Sequence, residues 1–367
     1  MSLIIDDPEL IIEKKDGLAV ISLNRPETLN ALSLEMIRLI SIGFKKIAKD
    51  DDIKAVAITG KGGKAFCAGG DVKLAAKLGM AFRRGEISND IADLYFKEEY
   101  RLDLLIHHFE KPVIAIMDGI TMGGGVGIAY PATYRVATEK TVFAMPEVNI
   151  GFFPDVGGTY YLQKWPGRLG LFAAVSGYRF ERRTDLAYLG ISTHTTDSDN
   201  IPALLQDLQN ALADTGDDAA EDVIEDVLSR HHHSPEGQSE IEQHADLLND
   251  LFAHDSFEDV YAGFHDNSTD FTREISKIYN EASPTSIKVT FAYYKMNEGA
   301  DFDTIMNRDI NLVRHFVQGQ DFYEGIRARL IDKREPAWQP ARLSDVTDDV
   351  VNAYLGDIDK PKEKWIL

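Results

Sequence analysis

The chain has one cysteine, Cys67, in 367 residues. That excludes an intrachain disulfide and fits a reducing compartment. It is also short of positive charge: 39 Lys and Arg stand against 60 Asp and Glu, a formal net charge of −21. A field of that sign repels nucleic acid and anionic lipid, so neither a nucleic-acid nor a membrane partner is expected. A small anionic ligand senses only the local potential of its groove and stays admissible. No apolar run approaches the roughly 18 residues of a membrane span. The stretch MSLIIDDPELIIEKKDG has neither a signal-peptide core nor the arginine-rich, acid-poor character of a transit peptide. The expected location is cytoplasmic, and a processed organellar matrix protein would read the same way.

What is present is a globular composition, 44% hydrophobic and 27% charged, with ample length for a buried core. LAVISL (18–23), AVAIT (55–59) and VIAIMDG (113–119) read as largely buried strands. Between the first two, Leu34, Ile37, Ile40, Phe44 and Ile47 recur at helical spacing, which predicts an amphipathic helix over 33–49. YRVATEKTVFAMPE adds strand-like material. From about residue 200 the chain becomes acidic and helical in period, and SPTSIKVTFAYYKM carries a Ser283 cap and Pro284 at the first helical position. The fold class expected is α/β, with residues 1–199 as core and residues 200–367 as a helical region packed on it.

Two glycine-rich stretches suggest phosphate binding and fail on spacing. In GKGGKAFCAGGD, the glycine a phosphate loop needs five positions before Gly63 is Ile58, and Ala65 replaces its Ser or Thr. MGGGVGIAY lacks the last glycine of a dinucleotide fingerprint, because Ile128 stands there. Both stretches follow strands, and glycine lets a backbone N–H face a ligand closely. Two such N–H groups from separate loops suit an oxyanion. Tight turns for helix–sheet packing are the competing reading. The triplet HHH at 231–233 lacks ordered ligand spacing, so no metal is expected and the histidines read as solvated.

AMPEVNIGFFPDVGG, from Ala144 to Gly158, holds two acids, Glu147 and Asp155, each directly after a proline. Eight extended residues reach at most about 26–29 Å, so the two meet only if the chain doubles back, and Gly151 permits that. Asp155 also reads as a helix N-cap ahead of VGGTYYLQKW, whereas Glu147 has no evident structural partner. In FKEEYRLDLLI, Glu98 and Glu99 point about 100° apart on a helix, so only one can face a site.

AFCAGGD, GITMGGGVG and AMPEVNIGFFPDVGG, in this order and spacing, resemble the crotonase (enoyl-CoA hydratase/isomerase) superfamily. FKEEYRL, YRVATEK, SPTSIKVT, QDFYEGIRARLIDK and PAWQPA extend the resemblance over nearly the whole chain, toward the branch that hydrolyses 3-hydroxyisobutyryl-CoA. The resemblance implies a spiral of ββα repeats and a small-molecule acyl-CoA substrate. It implies no cofactor, coenzyme A being part of the substrate, and leaves a homo-oligomer open. It also implies an oxyanion hole from the backbone N–H groups of Gly70 and Gly124, with Glu147 and Asp155 as catalytic acids. Glu99, Gly124, Glu147 and Asp155 would contact substrate, Glu99 near its 3-hydroxyl. Enoyl-CoA hydratases of this superfamily carry a second glutamate two positions after the GGG triplet, where this chain has Gly127. Hydrolysis is therefore expected, with enoyl-CoA isomerisation or hydration and non-catalytic acyl-CoA binding as alternatives.

Overall fold

The β-branched runs and the loops between them set the architecture of a computed structural model that describes residues 2–88, 90–213, 215–216 and 219–359. Its strands are β1 (Ser2–Asp6), β2 (Leu10–Lys15), β3 (Leu18–Leu23), β4 (Ala55–Gly60), β5 (Ala65–Cys67), β6 (Val113–Met117), β7 (Ile120–Met122), β8 (Tyr134–Ala137), β9 (Val142–Ala144) and β10 (His194–Thr195). They form a seven-stranded sheet, ordered β1-β2-β3-β4-β6-β8-β10, and a three-stranded sheet, β5-β7-β9. After β3 comes α1 (Leu34–Ile47). The pair β4 and β5 is followed by α2 (Val72–Arg83) and α3 (Lys97–His107), β6 and β7 by α4 (Gly124–Ala129), and β8 and β9 by α5 (Gly158–Leu162). In each pair the first strand joins the large sheet and the second the small one, all in parallel. The chain therefore winds as the expected ββα spiral.

The predicted strands and helix fall where their patterns placed them. Ser33 caps α1 by accepting the Met36 N–H at 3.0 Å, and Ile37, Ile40, Phe44 and Ile47 are buried. The parallel strands are covered on both faces, which is why they read as continuous apolar runs. Val56, Ile58, Val113 and Ala115 face the main core. Ala55, Ala57, Ile114 and Ile116 face a second cluster with Leu204, Leu208, Ile224 and Val227, from helices Ile201–Leu212 and Ala220–His231.

Beyond β10 the described chain is helical. Ser283 caps helix Pro284–Met296 as predicted, accepting the Ser286 N–H at 3.2 Å. The HHH triplet straddles a helix end: His231 is its last residue, and His232 and the exposed His233 follow in irregular chain. His231 closes its helix and pairs with Asp207 at 2.8 Å, His232 accepts the Thr195 N–H at 3.1 Å, and His233 pairs with Asp197 at 3.2 Å. These contacts tie the end of the helix to β10 and to the chain that follows it, partners that local sequence does not show. No group of three or more His, Cys, Asp or Glu that could hold a metal occurs among the described residues. Nor is any described helix long and apolar enough to cross a membrane.

Candidate active site

The small sheet delivers the three glycine- and acid-bearing loops side by side. Cys67 pairs with Thr121, and Met122 with Ala144. The residues leaving these parallel strands at their carboxyl ends are Ala68-Gly69-Gly70, Gly123-Gly124 and Met145-Pro146-Glu147, the edge at which open parallel sheets hold ligands. A cavity of about 990 Å³ opens there, and Gly70, Glu99, Gly124, Glu147 and Asp155 all line it. The structure thus brings together every residue the sequence singled out for the site.

Gly124 begins α4, so its N–H has no acceptor within the helix. Leu32 bonds the residues flanking Gly70, its N–H donating to the Gly69 carbonyl at 2.8 Å and its carbonyl accepting the Asp71 N–H at 3.0 Å. That pairing leaves the Gly70 N–H itself unused. The approach at Gly124 is close: a Cβ there would stand 3.1 Å from the Gly70 nitrogen and 2.1 Å from Glu99 Oε1. Glycine is the residue that fits.

The reversal between the two acids is made locally. The Phe152 N–H donates to the Glu147 carbonyl at 3.0 Å, and Gly151 turns the chain at φ +74°. Its missing side chain admits the Asp321 carbonyl, which would lie 2.3 Å from a Cβ. Asp155 does not cap a helix. Helix α5 starts at Gly158 with Gly157 as its cap, while the Asp155 carboxylate accepts the Tyr100 O–H at 2.5 Å. Only its main-chain carbonyl takes the Gly158 N–H, at 2.8 Å. Of the adjacent pair on α3, Glu98 turns outward to Arg101 at 3.2 Å, and Glu99 turns inward with 2% of its surface exposed.

Three further site residues escaped the sequence reading. Asp103 shares a face of α3 with Glu99, four positions on, and that spacing was a usable signal; Tyr100, directly after Glu99, had no such signal. Asp309, on helix Phe302–Phe316, gave none. Its carboxylate accepts the Gly157 N–H at 2.8 Å and the Tyr293 O–H at 2.5 Å, so a helix some 150 residues away holds the loop that carries Asp155. Asp103 is fully buried with both carboxyl oxygens unpartnered. It fills the space beside Gly127, where a Cβ would stand 2.8 Å from its Oδ1 and 2.8 Å from the Val156 Cβ.

The five carboxyl groups of Glu99, Asp103, Glu147, Asp155 and Asp309 feel one another and no neighbouring cation. Burial, reinforced by these neighbours, pushes Glu99, Asp103 and Glu147 well above the usual carboxylate range. Burial also raises Asp155, to about 7, with the Tyr100 O–H pulling the other way. It raises Asp309 to about 8, against the Tyr293 O–H and the Gly157 N–H. Such a site cannot ionise fully. Burial favours the protonated form of all five.

A family model described as Enoyl-CoA hydratase/isomerase matches residues 18–355. The 3-hydroxyisobutyryl-CoA hydrolase, mitochondrial, of Rattus norvegicus is 41% identical over 352 residues, spanning 95% of this chain and 88% of its own. The protein of the same name from Homo sapiens is 39% identical, spanning 95% and 88%. Among solved structures, a carnitinyl-CoA dehydratase from Mycobacterium thermoresistibile superposes with a TM-score of 0.84 at 30% identity, over 95% of this chain and 96% of its own. An enoyl-CoA hydratase from Rhodobacter sphaeroides 2.4.1 gives 0.83 at 29%, over 95% and 97%. On this match across almost its whole length, the chain belongs to the enoyl-CoA hydratase/isomerase, or crotonase, family.

Proposed function

We propose that this protein hydrolyses the thioester of 3-hydroxyisobutyryl-CoA, a step of valine breakdown, to the free acid and CoA, and that 3-hydroxypropionyl-CoA is a second substrate. The observation that carries the reading is the arrangement around one cavity: Glu147 and Asp155, joined by a chain reversal, line it together with Gly70 and Gly124. The shared names of the rat and human relatives support the substrate. Gly127 carries no side chain where a hydratase of this family would carry its second glutamate, which supports hydrolysis over hydration. The reaction runs in a reducing compartment, the cytosol or, as the relatives' names have it, a mitochondrion.

In this reading the Gly70 and Gly124 N–H groups hold the thioester oxygen as negative charge develops on it. Asp155 takes the Glu147 proton and leaves Glu147 as the reactive carboxylate. Two routes use the same groups. Glu147 attacks the carbonyl, expels CoA thiolate and forms a mixed anhydride that water opens, or it takes a proton from a water that attacks directly. In either route the leaving thiolate receives the proton held on Asp155. Water supplies the hydroxyl of the acid and the proton that restores the site.

The test is a thiol-release assay over short 3-hydroxyacyl-CoA and enoyl-CoA thioesters. The expected result is release of CoA from 3-hydroxyisobutyryl-CoA and its fall by on the order of 10³-fold or more in Glu147→Gln, with the melting temperature retained. Interconversion of enoyl-CoA isomers without thiol release would replace this reading with isomerisation. Saturable binding without turnover across the panel would replace it with a binding protein.

A further inference from the structure

Glu99 has a geometry that fixing a substrate hydroxyl does not account for. Its Oε1 is buried and has no hydrogen-bond partner. The point where a Gly124 Cβ would stand is 2.1 Å from this oxygen and 3.1 Å from the Gly70 nitrogen, and the matching point on Gly70 is 3.4 Å from the same Oε1. One carboxyl oxygen and two glycine backbones therefore converge on one patch of the cavity wall. An ionised carboxylate is an acceptor only and would repel an acyl oxygen gaining negative charge there. A carboxylic acid has an O–H to donate.

The surroundings decide between the two forms. Tyr95, Tyr100 and Asp103 face Glu99 from its own helical run, Cys67 from β5, and Glu147 and Asp155 from the segment after β9. None is a cation. Each ionisable neighbour, like burial itself, disfavours the anion. An acid kept neutral by such a site can serve as an oxyanion donor at neutral pH.

We propose that Glu99 is a carboxylic acid whose O–H is a third donor to the acyl oxygen, beside the N–H groups of Gly70 and Gly124. It donates without transferring its proton, so no bond to hydrogen breaks at Glu99 during turnover. The inference rests on the acyl-CoA reading of this cavity and not on hydrolysis, since a reaction through an enolate would use the same donor.

The experiment observes the acyl oxygen directly. Isobutyryl-CoA, which has no 3-hydroxyl, is labelled with carbon-13 at the thioester carbonyl and bound to Glu147→Gln protein, where turnover is blocked. Its C=O stretch is recorded by difference infrared spectroscopy, alone and with Glu99→Gln or Glu99→Leu added. Both changes remove a buried, unpartnered carboxyl, and melting temperatures check that each variant is folded. The expected result is a bound stretch below the free value, nearly kept with Gln, whose amide still donates, and moved back toward the free value with Leu. With Glu147 intact, thiol release should fall on the order of 10²–10³-fold in Glu99→Leu and less than about tenfold in Glu99→Gln. A stretch unchanged by Leu overturns the proposal, as does a Gln variant whose stretch matches that of Leu. If no thioester is hydrolysed yet the stretch follows residue 99, the hydrolase reading fails and this one stands. If isobutyryl-CoA shows no saturable binding, this proposal fails, and the hydrolase reading is decided by thiol release from 3-hydroxyisobutyryl-CoA alone.

Discussion

The two helical parts of the C-terminal half meet the strand-built half differently. Helices Ile201–Leu212 and Ala220–His231 cover the outer face of the large sheet and bury Leu204, Leu208, Leu212, Ile224, Val227 and Leu228 in a cluster of their own. The helices Phe302–Phe316 and Asp321–Gly325 lie in the main core and grip the backbone of the site. Asp309 takes the Gly157 N–H, the Asp321 carbonyl presses on Gly151, and the Ile150 carbonyl would stand 2.3 Å from a Cβ on Gly325. The first pair stabilises a sheet. The second shapes the turn that joins Glu147 to Asp155. Position along the chain and acidic helical composition do not separate the two; what they touch does.

The sharpest way to break this contrast is to weaken the outer layer. Leu208→Ala should cost about 2–5 kcal/mol of stability and leave kcat and KM for thiol release unchanged in the folded protein, as urea titration and steady-state kinetics will read. A tenfold drop in kcat would mean that the outer layer also tunes the site. Next in size, Asp309→Leu should lower kcat on the order of 10²-fold by letting the Asp155 loop shift, with KM held within a few-fold. An unchanged kcat would reduce the inner helices to a cover.

Asp309→Asn sharpens the same point through pH. Folding raises Asp309 from the ordinary 3.8 to about 8, so between those values the native state keeps a proton that the unfolded chain has lost. Its contribution to stability therefore falls by about 1.4 kcal/mol per pH unit as pH rises from about 4 to about 8, and is flat above. Asparagine has no such slope. The variant's stability relative to wild type should thus rise across that window in urea titrations at pH 5, 6, 7 and 8, and a constant difference would show that Asp309 ionises alike in both states. Least affected should be His231→Gln, whose partly exposed pair with Asp207 predicts a change within about 0.5 kcal/mol. A larger loss would make the outer layer's ion pairs structural.

Much of the fold was legible because its signals are local. Val56 and Ile58 against Ala55 and Ala57 read as one buried run since both faces are covered, and Ser33, Ser283 and Pro284 carry their capping chemistry in their own neighbourhoods. The turn from Glu147 to Asp155 was foreseeable from Gly151. Errors came where a residue's partner is distant. Asp155 looked like a cap because Tyr100 lies 55 positions earlier, and His231 and His232 looked solvated because their partners are Asp207 and Thr195. Asp309 was invisible, one of two aspartates in an amphipathic helix, and its meaning comes only from the distant Gly157 N–H and the Tyr293 O–H that it receives.

The packing of Asp103 against Gly127 also bears on how such a chain can change under mutation. A side chain added at 127 meets Asp103 and Val156 at 2.8 Å, so the first step toward a second acid there is blocked unless residue 103 shrinks beforehand. Shrinking it alone opens a hole in a fully buried position, which carries its own penalty. Changes at the two positions are therefore expected to be non-additive. In a double-mutant cycle, a change at 127 should therefore cost less in a chain whose residue 103 has been shortened than in one that keeps Asp103.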